Sequence, residues 1–259
     1  MGNAAWFGAA RAMGQPAGDG APLRVVLQCA GAAHRRAAAG PASSPIPPSG
    51  SLPVHDEQIK RLLDAAQRLP SATGLRPQTF ATLFGLYVAT GLRANEPLRL
   101  DRDDVDLTKG VLTIRGTKFG KSRYVPVHPS TLRALKRYAE LRDRWCPDPA
   151  TSSFFVSDRG TRLTEWCVRW TFVKLSREIG LRGASDSRGP RLHDLRHRLA
   201  TATLLRWYRH GVDVERHLPQ LSAYLGHAHV TDTYWYLTAT PELLHYVMQR
   251  VQRSREQRP

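Results

Sequence analysis

The sequence predicts a mainly α-helical fold with one small antiparallel β-sheet, an α+β class. Three observations lead to this prediction. Apolar residues recur at helical spacing over most of the chain from Leu52 onward, and the period changes to that of strands only around residues 111–127. Helix-breaking residues such as Gly91 and Pro241 separate the periodic stretches. With 259 residues, 41% of them apolar, the chain can bury a substantial core.

The first half of this region contains two predicted helices and a hairpin. The first helix carries Ile59, Leu62, Leu63, Ala66 and Leu69 on one face and ends at Pro70. The second begins after Pro77, carries a run of large apolar residues and ends at Gly91. Two strand-like runs, residues 111–114 and 123–127, flank a loop with two glycines, which predicts a β-hairpin.

The second half is predicted to be helical with one short strand. Helices are expected near residues 130–144 and 164–179, with a strand at Phe154–Val156 between them. The remainder, from about Arg191 to Arg250, is predicted as helices broken at Gly211, Pro219, Gly226 and Pro241.

Composition divides the chain into three parts. Residues 1–51 are dominated by Ala, Gly, Pro and Ser and contain a single acidic residue, Asp19. Such a segment buries too little apolar surface to offset chain entropy, so it is predicted to be largely disordered. Residues 52–252 form the predicted compact domain, and residues 253–259 form a basic tail.

The charge balance is strongly basic. Lys and Arg number 38 against 22 Asp and Glu, which gives a formal charge of +16 and a pI of about 10.6. A polyanion, nucleic acid above all, is the first partner to consider at this charge. Bias in the base composition of the coding DNA is the alternative explanation, because it also produces Arg- and Ala-rich chains.

Cysteines and apolar runs indicate the compartment. Cys29, Cys146 and Cys167 are scattered and form no CxxC pair, so neither a disulfide framework nor a thiolate zinc site is predicted. No apolar run approaches the ~20 residues that span a bilayer, and the amino terminus lacks the layout of a signal peptide. We expect a cytoplasmic, nucleoid-associated protein without membrane contact.

Polar residues whose side chains could take part in catalysis or binding are concentrated in four segments. They are Thr90–Glu96, the hairpin tip around Lys118, Arg191–His197, and Leu225–Tyr236. Taken alone, the first, second and fourth segments have ordinary explanations. These are an Arg93–Glu96 surface pair, a solvated or phosphate-binding basic cluster with Lys121 and Arg123, and aromatic packing around Tyr236.

The third segment contains the pattern H-D-x-x-H, which resembles a zinc-binding pair of histidines. Zinc hydrolases need Glu as the second residue and a third ligand, and Arg196 and Arg198 would crowd a dication here. The same helix also places His193 and Arg196 side by side, an arrangement that suits an anionic oxygen that gains charge during a reaction. The second interpretation is favoured, and no metal or other cofactor is predicted.

Together, the four segments resemble the tyrosine recombinase, or phage integrase, family. The matching residues are Thr90–Arg93 with Glu96, Lys118 ahead of Val125–Val127, His193–His197, Leu225–His227, and Tyr236, nine positions after His227. The resemblance runs from about Leu52 to Arg250, and it is specific because five separated motifs occur in order at the right spacing. It implies the catalytic-domain fold of these DNA breaking and rejoining enzymes.

The resemblance also implies roles for individual residues. Tyr236 would attack the scissile phosphorus, and its spacing from His227 favours it over Tyr234. Arg93 and Arg196 would hold the non-bridging oxygens, and Lys118 would protonate the departing 5′-oxygen. His193 would help to accept the tyrosine proton, and His227 would hydrogen-bond the phosphate. Double-stranded DNA would be the substrate, and the last helix would dock on a neighbouring protomer. We predict Lys121, Arg123 and Arg198 as DNA contacts.

Two departures from the family pattern leave alternatives open. Members usually carry a further helical domain ahead of the catalytic one, and residues 1–51 are too short and too rich in helix breakers to supply it. Weaker DNA affinity, or an inert DNA-binding remnant, would follow. Arg198 replaces a residue that is commonly Thr or Ser, and either contacts DNA or faces solvent. A type IB topoisomerase would share the same chemistry without exchanging strands.

Overall fold

The computed structural model describes residues 54–116, 122–185, 189–238 and 241–256. The predicted segment 1–51, the hairpin tip with Lys118 and Lys121, and the end of the basic tail lie outside the described residues. The boundaries predicted for the three parts of the chain stay predictions.

The described residues confirm the predicted fold class. Their helices are α1 (Asp56–Gln67), α2 (Leu75–Thr90), α3 (Pro129–Trp145), α4 (Glu165–Glu178), α5 (Leu192–Arg209), α6 (Val214–Leu225), the single turn α7 (Thr231–Tyr234) and α8 (Pro241–Glu256). The strands are β1 (Val105–Asp106), β2 (Val111–Ile114) and β3 (Arg123–Pro126), and short 3₁₀ turns cover Pro97–Arg99, Arg102–Asp104 and Trp235–Thr238. None of these helices combines the length and the apolar character needed to cross a bilayer.

The predicted hairpin is confirmed, and β1 extends it to three strands in the order β1-β2-β3. Both pairings are antiparallel, with Leu112 opposite Val105 on one side and opposite Val125 on the other. These three apolar residues are buried, so one face of the sheet is part of the core. The sequence did not indicate β1, because two residues are too few to show a period.

Helix α2 forms the centre of the molecule. It is apolar on nearly all sides, as expected for a helix enclosed by others, and it packs against α1, α3 and α5. Phe84 on α2 meets Phe172 on α4 edge to face, with ring centroids 5.7 Å apart. Burial of α2 fixes the position of its carboxyl end, where Gly91 adopts a left-handed conformation and ends the helix.

The strand predicted at Phe154–Val156 is wrong. All three side chains are buried, but their backbone groups find scattered partners: the Phe154 N–H donates to the Leu100 carbonyl and the Val156 N–H donates to the Tyr138 hydroxyl. Only isolated bridges, such as that between Val156 and Arg162, are present. A short, fully buried apolar run lacks the alternation that separates a strand from a core loop.

The break predicted at Pro219 is also wrong, whereas helix ends at Gly211 and Gly226 and a new helix at Pro241 are confirmed. Helix α6 continues through Pro219 and forgoes the hydrogen bond that an N–H at that position would donate. Leu218, Leu221 and Leu225 are buried along its inner face. Their burial maintains the helix despite the proline.

Candidate active site

The start of α5 presents the first two candidate residues. The Asp194 carboxylate accepts a hydrogen bond from the Arg191 N–H at 2.8 Å, which fixes the first turn of the helix. His193 and Arg196 then follow three residues apart on one face. His193 is exposed at the surface, whereas the Arg196 guanidinium points inward and is buried.

Arg196 is held by main-chain carbonyls from two helix ends. Its two terminal nitrogens donate to the Gly91 carbonyl at the end of α2 and to the Leu225 carbonyl at the end of α6, each at 2.8 Å. Carbonyls in the last turn of a helix lack intrahelical partners and carry the negative end of the helix dipole. They therefore compensate a buried cation whose removal from water would otherwise be costly.

Arg93 uses the next carbonyl of α6. It lies two residues after Gly91, and one of its terminal nitrogens donates to the Gly226 carbonyl at 2.5 Å. The other contacts a Glu96 carboxylate oxygen at 3.3 Å, while the Arg93 N–H donates to the other oxygen at 2.8 Å. The Arg93 side chain is 31% exposed, so part of its guanidinium faces solvent.

Glu96 is the buried anion of the cluster. Its carboxylate accepts two hydrogen bonds from the Arg123 guanidinium, at 2.9 and 2.8 Å, in a fork-to-fork pairing. Burial would raise the pKa of Glu96, but the hydrogen bonds and charge of Arg123, assisted by Arg93, outweigh it and lower the pKa. Glu96 is therefore ionised at neutral pH.

Tyr236 lies against this cluster on the 3₁₀ turn that follows α7. Its ring is 3% exposed and stacks on the His227 imidazole, with centroids 5.9 Å apart and planes 16° from parallel. Burial raises the pKa of Tyr236, and the charge of Arg196 and its hydrogen bond to the phenol oppose that rise. Tyr234, by contrast, is 47% exposed.

Two histidines of the cluster, His227 and His193, are kept neutral. Burial, reinforced by the Arg196 charge, lowers the pKa of His227 to about 3, and its Nδ1 lies 2.7 Å from the Thr233 hydroxyl. His193 is exposed on one side, but the protein atoms around its ring remove part of its hydration and lower its pKa, with Arg196 adding to the effect. A neutral imidazole can accept a proton or share a hydrogen bond with an anion.

The structure brings together five of the six residues that the sequence singled out for chemistry: Arg93, His193, Arg196, His227 and Tyr236. The sixth, Lys118, lies outside the described residues, as does Lys121. The other two predicted DNA contacts are engaged within the protein: Arg198 pairs with Asp56 on α1, and Arg123 pairs with Glu96.

Sequence reasoning missed three contributors to the site. The carbonyls of Tyr224, Leu225 and Gly226 bind Arg123, Arg196 and Arg93 respectively, and main-chain groups leave no side-chain signal. Thr233 orients His227, and a threonine three residues before the tyrosine gave no such indication. His197 packs edge to face on Tyr236, with centroids 5.4 Å apart, and the motifs that contain it gave no indication of this contact.

A cavity of about 500 Å³ is lined in part by Arg93. Its lining also includes the loop after Arg93, the turn at Asp101–Asp104 and the end of β2. Among the described residues no group of three His, Cys, Asp or Glu side chains is placed to hold a metal ion.

Solved structures similar to this fold include recombinases. The XerA recombinase superposes with a TM-score of 0.60 at 24% identity, covering 85% of this chain and 68% of that one. The Tn1549 transposon integrase, in complex with transposon right end DNA, gives a TM-score of 0.57 at 19% identity, covering 81% of this chain and 68% of that one. At these identities the similarity shows the fold.

Sequence relatives show the family. The putative integrase/recombinase y4rB of Sinorhizobium fredii (strain NBRC 101917 / NGR234) is 50% identical over 240 residues, covering 87% of this chain and 76% of the relative. The tyrosine recombinase XerC of Chlamydia caviae is 30% identical over 191 residues, covering 74% of this chain but 55% of the relative, so the chain spans about half of that protein's length. The model of the phage integrase family matches residues 54–242. The chain therefore belongs to the phage integrase family, the family of the tyrosine recombinases.

Proposed function

We propose that this chain is a site-specific DNA recombinase that cuts and rejoins strands through a covalent phosphotyrosine. One observation carries the proposal: the Tyr236 phenol lies against the Arg196 guanidinium and the neutral His227 ring, in the same cluster as the partly exposed Arg93 and the neutral His193. A nucleophile, two cations and proton acceptors in one place are the parts that phosphoryl transfer needs.

The proposed reaction exchanges one phosphodiester for another. The Tyr236 oxygen attacks the scissile phosphorus and loses its proton, and the bond from phosphorus to the 5′-oxygen breaks. The products are a 3′-phosphotyrosyl link and a 5′-hydroxyl, so the energy of the bond is conserved and rejoining needs no ATP. Arg93 and Arg196 would bind the non-bridging oxygens, whose charge grows in the pentacovalent state.

Proton transfer would involve the histidines and Lys118. The lowered pKa values of His193 and His227 keep both rings in the neutral form at neutral pH, which is the form in which a proton acceptor must start. We propose His193 as the acceptor of the tyrosine proton and His227 as a hydrogen-bond partner of the phosphate. Lys118 would donate the proton that the departing 5′-oxygen needs.

Tyr236 is sheltered in this structure, because its ring is almost fully buried. Attack on DNA therefore requires the turn at Trp235–Thr238 to shift, or the phosphate to enter where Tyr236 and Arg196 now meet. We propose that DNA binding at Arg93, the most exposed of the three arginines in the cluster, precedes that rearrangement.

Double-stranded DNA is the proposed substrate and a multimer the proposed acting form. The formal charge of +16 favours a polyanion. Helix α8 exposes Leu244 and Met248, apolar side chains suited to a neighbouring protomer. Lys121 is proposed as a further DNA contact, and Arg198 would serve as one after releasing the Asp56 carboxylate. Similarity to a putative integrase/recombinase supports a role in DNA integration and recombination. We propose that the protein acts on mobile elements, in the cytoplasm with the nucleoid.

A trapped covalent adduct tests the nucleophile. A gel-shift panel of flanking genomic duplexes first identifies the bound site, and a suicide duplex nicked beside the cleavage position then prevents rejoining. We expect wild type to form a denaturation-resistant protein–DNA adduct, Tyr236→Phe to form none, and Tyr234→Phe, the matched control two residues away, to form it at the wild-type rate.

The outcomes separate the alternatives. An adduct that survives Tyr236→Phe would exclude Tyr236 as the nucleophile. A bound duplex without any adduct would indicate a DNA-binding remnant. Relaxation of supercoiled DNA without strand exchange would indicate a topoisomerase. Loss of activity with a chelator would favour the metal-dependent hydrolase that the H-D-x-x-H pattern first suggested.

A further inference from the structure

We propose that Arg123 is a positioning residue that acts inside the protein: it occupies the Glu96 carboxylate so that Arg93 remains available to the substrate phosphate. The inference rests on the proposed function, and it differs from the sequence interpretation of Arg123 as a DNA contact. Its basis is the geometry around Glu96 and the carboxyl end of α6.

Arg123 is enclosed and all of its nitrogens are engaged. Its side chain is 11% exposed, its two terminal nitrogens bind the two Glu96 oxygens, and its Nε donates to the Tyr224 carbonyl at 3.1 Å. A residue in this state has little surface to offer a DNA phosphate. It connects the second strand of the hairpin, the loop after Arg93 and the end of α6.

The distances show that the Glu96 carboxylate contacts Arg123 more closely than it contacts the Arg93 guanidinium. Arg123 meets both oxygens within 2.9 Å, whereas the Arg93 guanidinium reaches one oxygen at 3.3 Å. Without Arg123, Glu96 would be a buried anion with one cation nearby, and such a carboxylate would draw that cation into a two-pronged pair. Arg93 would then be neutralised by the protein and would present less charge to the phosphate.

Gly226 provides the space that Arg123 occupies. A Cβ at this position would lie 2.7 Å from both Cζ and Nη1 of the Arg123 guanidinium, and the residue has a left-handed φ of +74°. The same glycine lends its carbonyl to Arg93. The glycine of the Leu225–His227 motif is thus explained by two needs: a helix end, and room for Arg123 beside Glu96.

Single-turnover cleavage of the suicide duplex, measured together with DNA affinity, tests the proposal. We expect Arg123→Ala to slow adduct formation about 10- to 100-fold, which is no more than the decrease in rate caused by removing a direct oxyanion donor. The Kd for DNA should change less than about 3-fold. A direct DNA contact would instead weaken Kd and lower the salt slope by about 1, with little change in the cleavage rate.

A double variant distinguishes positioning from simple support of the fold. Glu96→Gln should slow cleavage in the wild-type background, because it disturbs Arg93. In the Arg123→Ala background the same change should accelerate cleavage about 3- to 10-fold, since it removes the carboxylate that captures Arg93. Additive or greater loss in the double variant would overturn the proposal.

Two further measurements keep the test decisive. If Arg123→Ala does not fold, Arg123→Lys retains the charge without the two-pronged geometry, and slower cleavage at unchanged Kd is again expected. If wild type forms no adduct, the proposed function fails, and a crystal structure of the variant decides the positioning claim separately. Glu96 paired through both oxygens with Arg93 supports it, and an unchanged one-oxygen contact overturns it.

Discussion

His197 is buried, with 8% of its surface exposed, yet neither of its ring nitrogens has a hydrogen-bond partner among the described residues. Its ring packs against His193, Trp235 and Tyr236, with the Tyr236 centroid 5.4 Å away. Burial, reinforced by the charges of its neighbours, lowers the pKa of His197 to about 4. The ring therefore serves as a neutral aromatic wall behind Tyr236.

This residue predicts a pH dependence of stability. An unfolded histidine has a pKa near ~6.5, so between that value and about 4 the unfolded chain binds a proton at His197 that the folded chain does not. The free energy of unfolding should thus be highest above pH ~6.5 and fall as the pH drops towards 4, by up to about 1.4 kcal/mol per pH unit. Urea unfolding at several pH values measures it.

His197→Phe is the matched control for that titration. It keeps an aromatic ring of similar size and removes the titrating nitrogens, so its unfolding free energy should decline less steeply over the same pH range. An equal decline in both proteins would show that other groups, and not His197, govern acid sensitivity.

Individual residues of the site were largely predictable, because their side chains form a pattern of types and spacings. Arg93, Arg196 and Tyr236 meet where the sequence motifs implied, and Tyr236 rather than Tyr234 lies at the arginines. The pairing of Arg123 with Glu96, by contrast, was not predictable. Arg123 lies near a basic hairpin tip, and no local sequence pattern indicates that it pairs with a buried carboxylate 27 residues earlier.

At the scale of elements, periodicity identified the long helices and the hairpin, and it failed where tertiary packing overrides local preference. Phe154–Val156 is an apolar run that the core accepts without strand pairing. Pro219 lies inside α6, whose inner leucines are buried. In both places the deciding contacts come from residues far away in sequence, which a local pattern does not contain.

Pro219 gives a prediction for α6. The residue is exposed and it deprives the helix of one hydrogen bond, so Pro219→Ala should raise the free energy of unfolding by about 1–3 kcal/mol. Urea unfolding of the two proteins provides the measurement. Equal or lower stability of the variant would mean that the rigidity of proline in the unfolded chain outweighs the missing bond.

At the scale of the whole molecule, the excess of 16 positive charges would govern the proposed binding to DNA. Binding that neutralises about 5 phosphates should weaken roughly 500-fold when salt rises from 50 to 200 mM, since the affinity falls with a log–log slope of about −0.9 per phosphate. A gel-shift titration over salt concentration measures the slope. Affinity that is insensitive to salt would contradict a phosphate-dominated interface.

Lysine variants refine that measurement. Lys121→Ala removes a proposed phosphate contact and should lower the magnitude of the slope by about 0.9. Lys60→Ala removes an exposed lysine of α1 that has no predicted role on DNA, and the slope should not change. Identical slopes in all three proteins would exclude Lys121 as a contact.

The carboxyl end of α6 has a consequence for how this protein tolerates change. Three arginines are aligned by the carbonyls of Tyr224, Leu225 and Gly226, which are main-chain atoms that every amino acid supplies. The first two side chains are buried, so replacements of similar size and polarity there would leave that alignment intact, but one inserted residue would rotate the carbonyls by roughly 100° about the helix axis. This part of the chain should therefore accept conservative substitutions during evolution and reject insertions and deletions, and Gly226 should not vary.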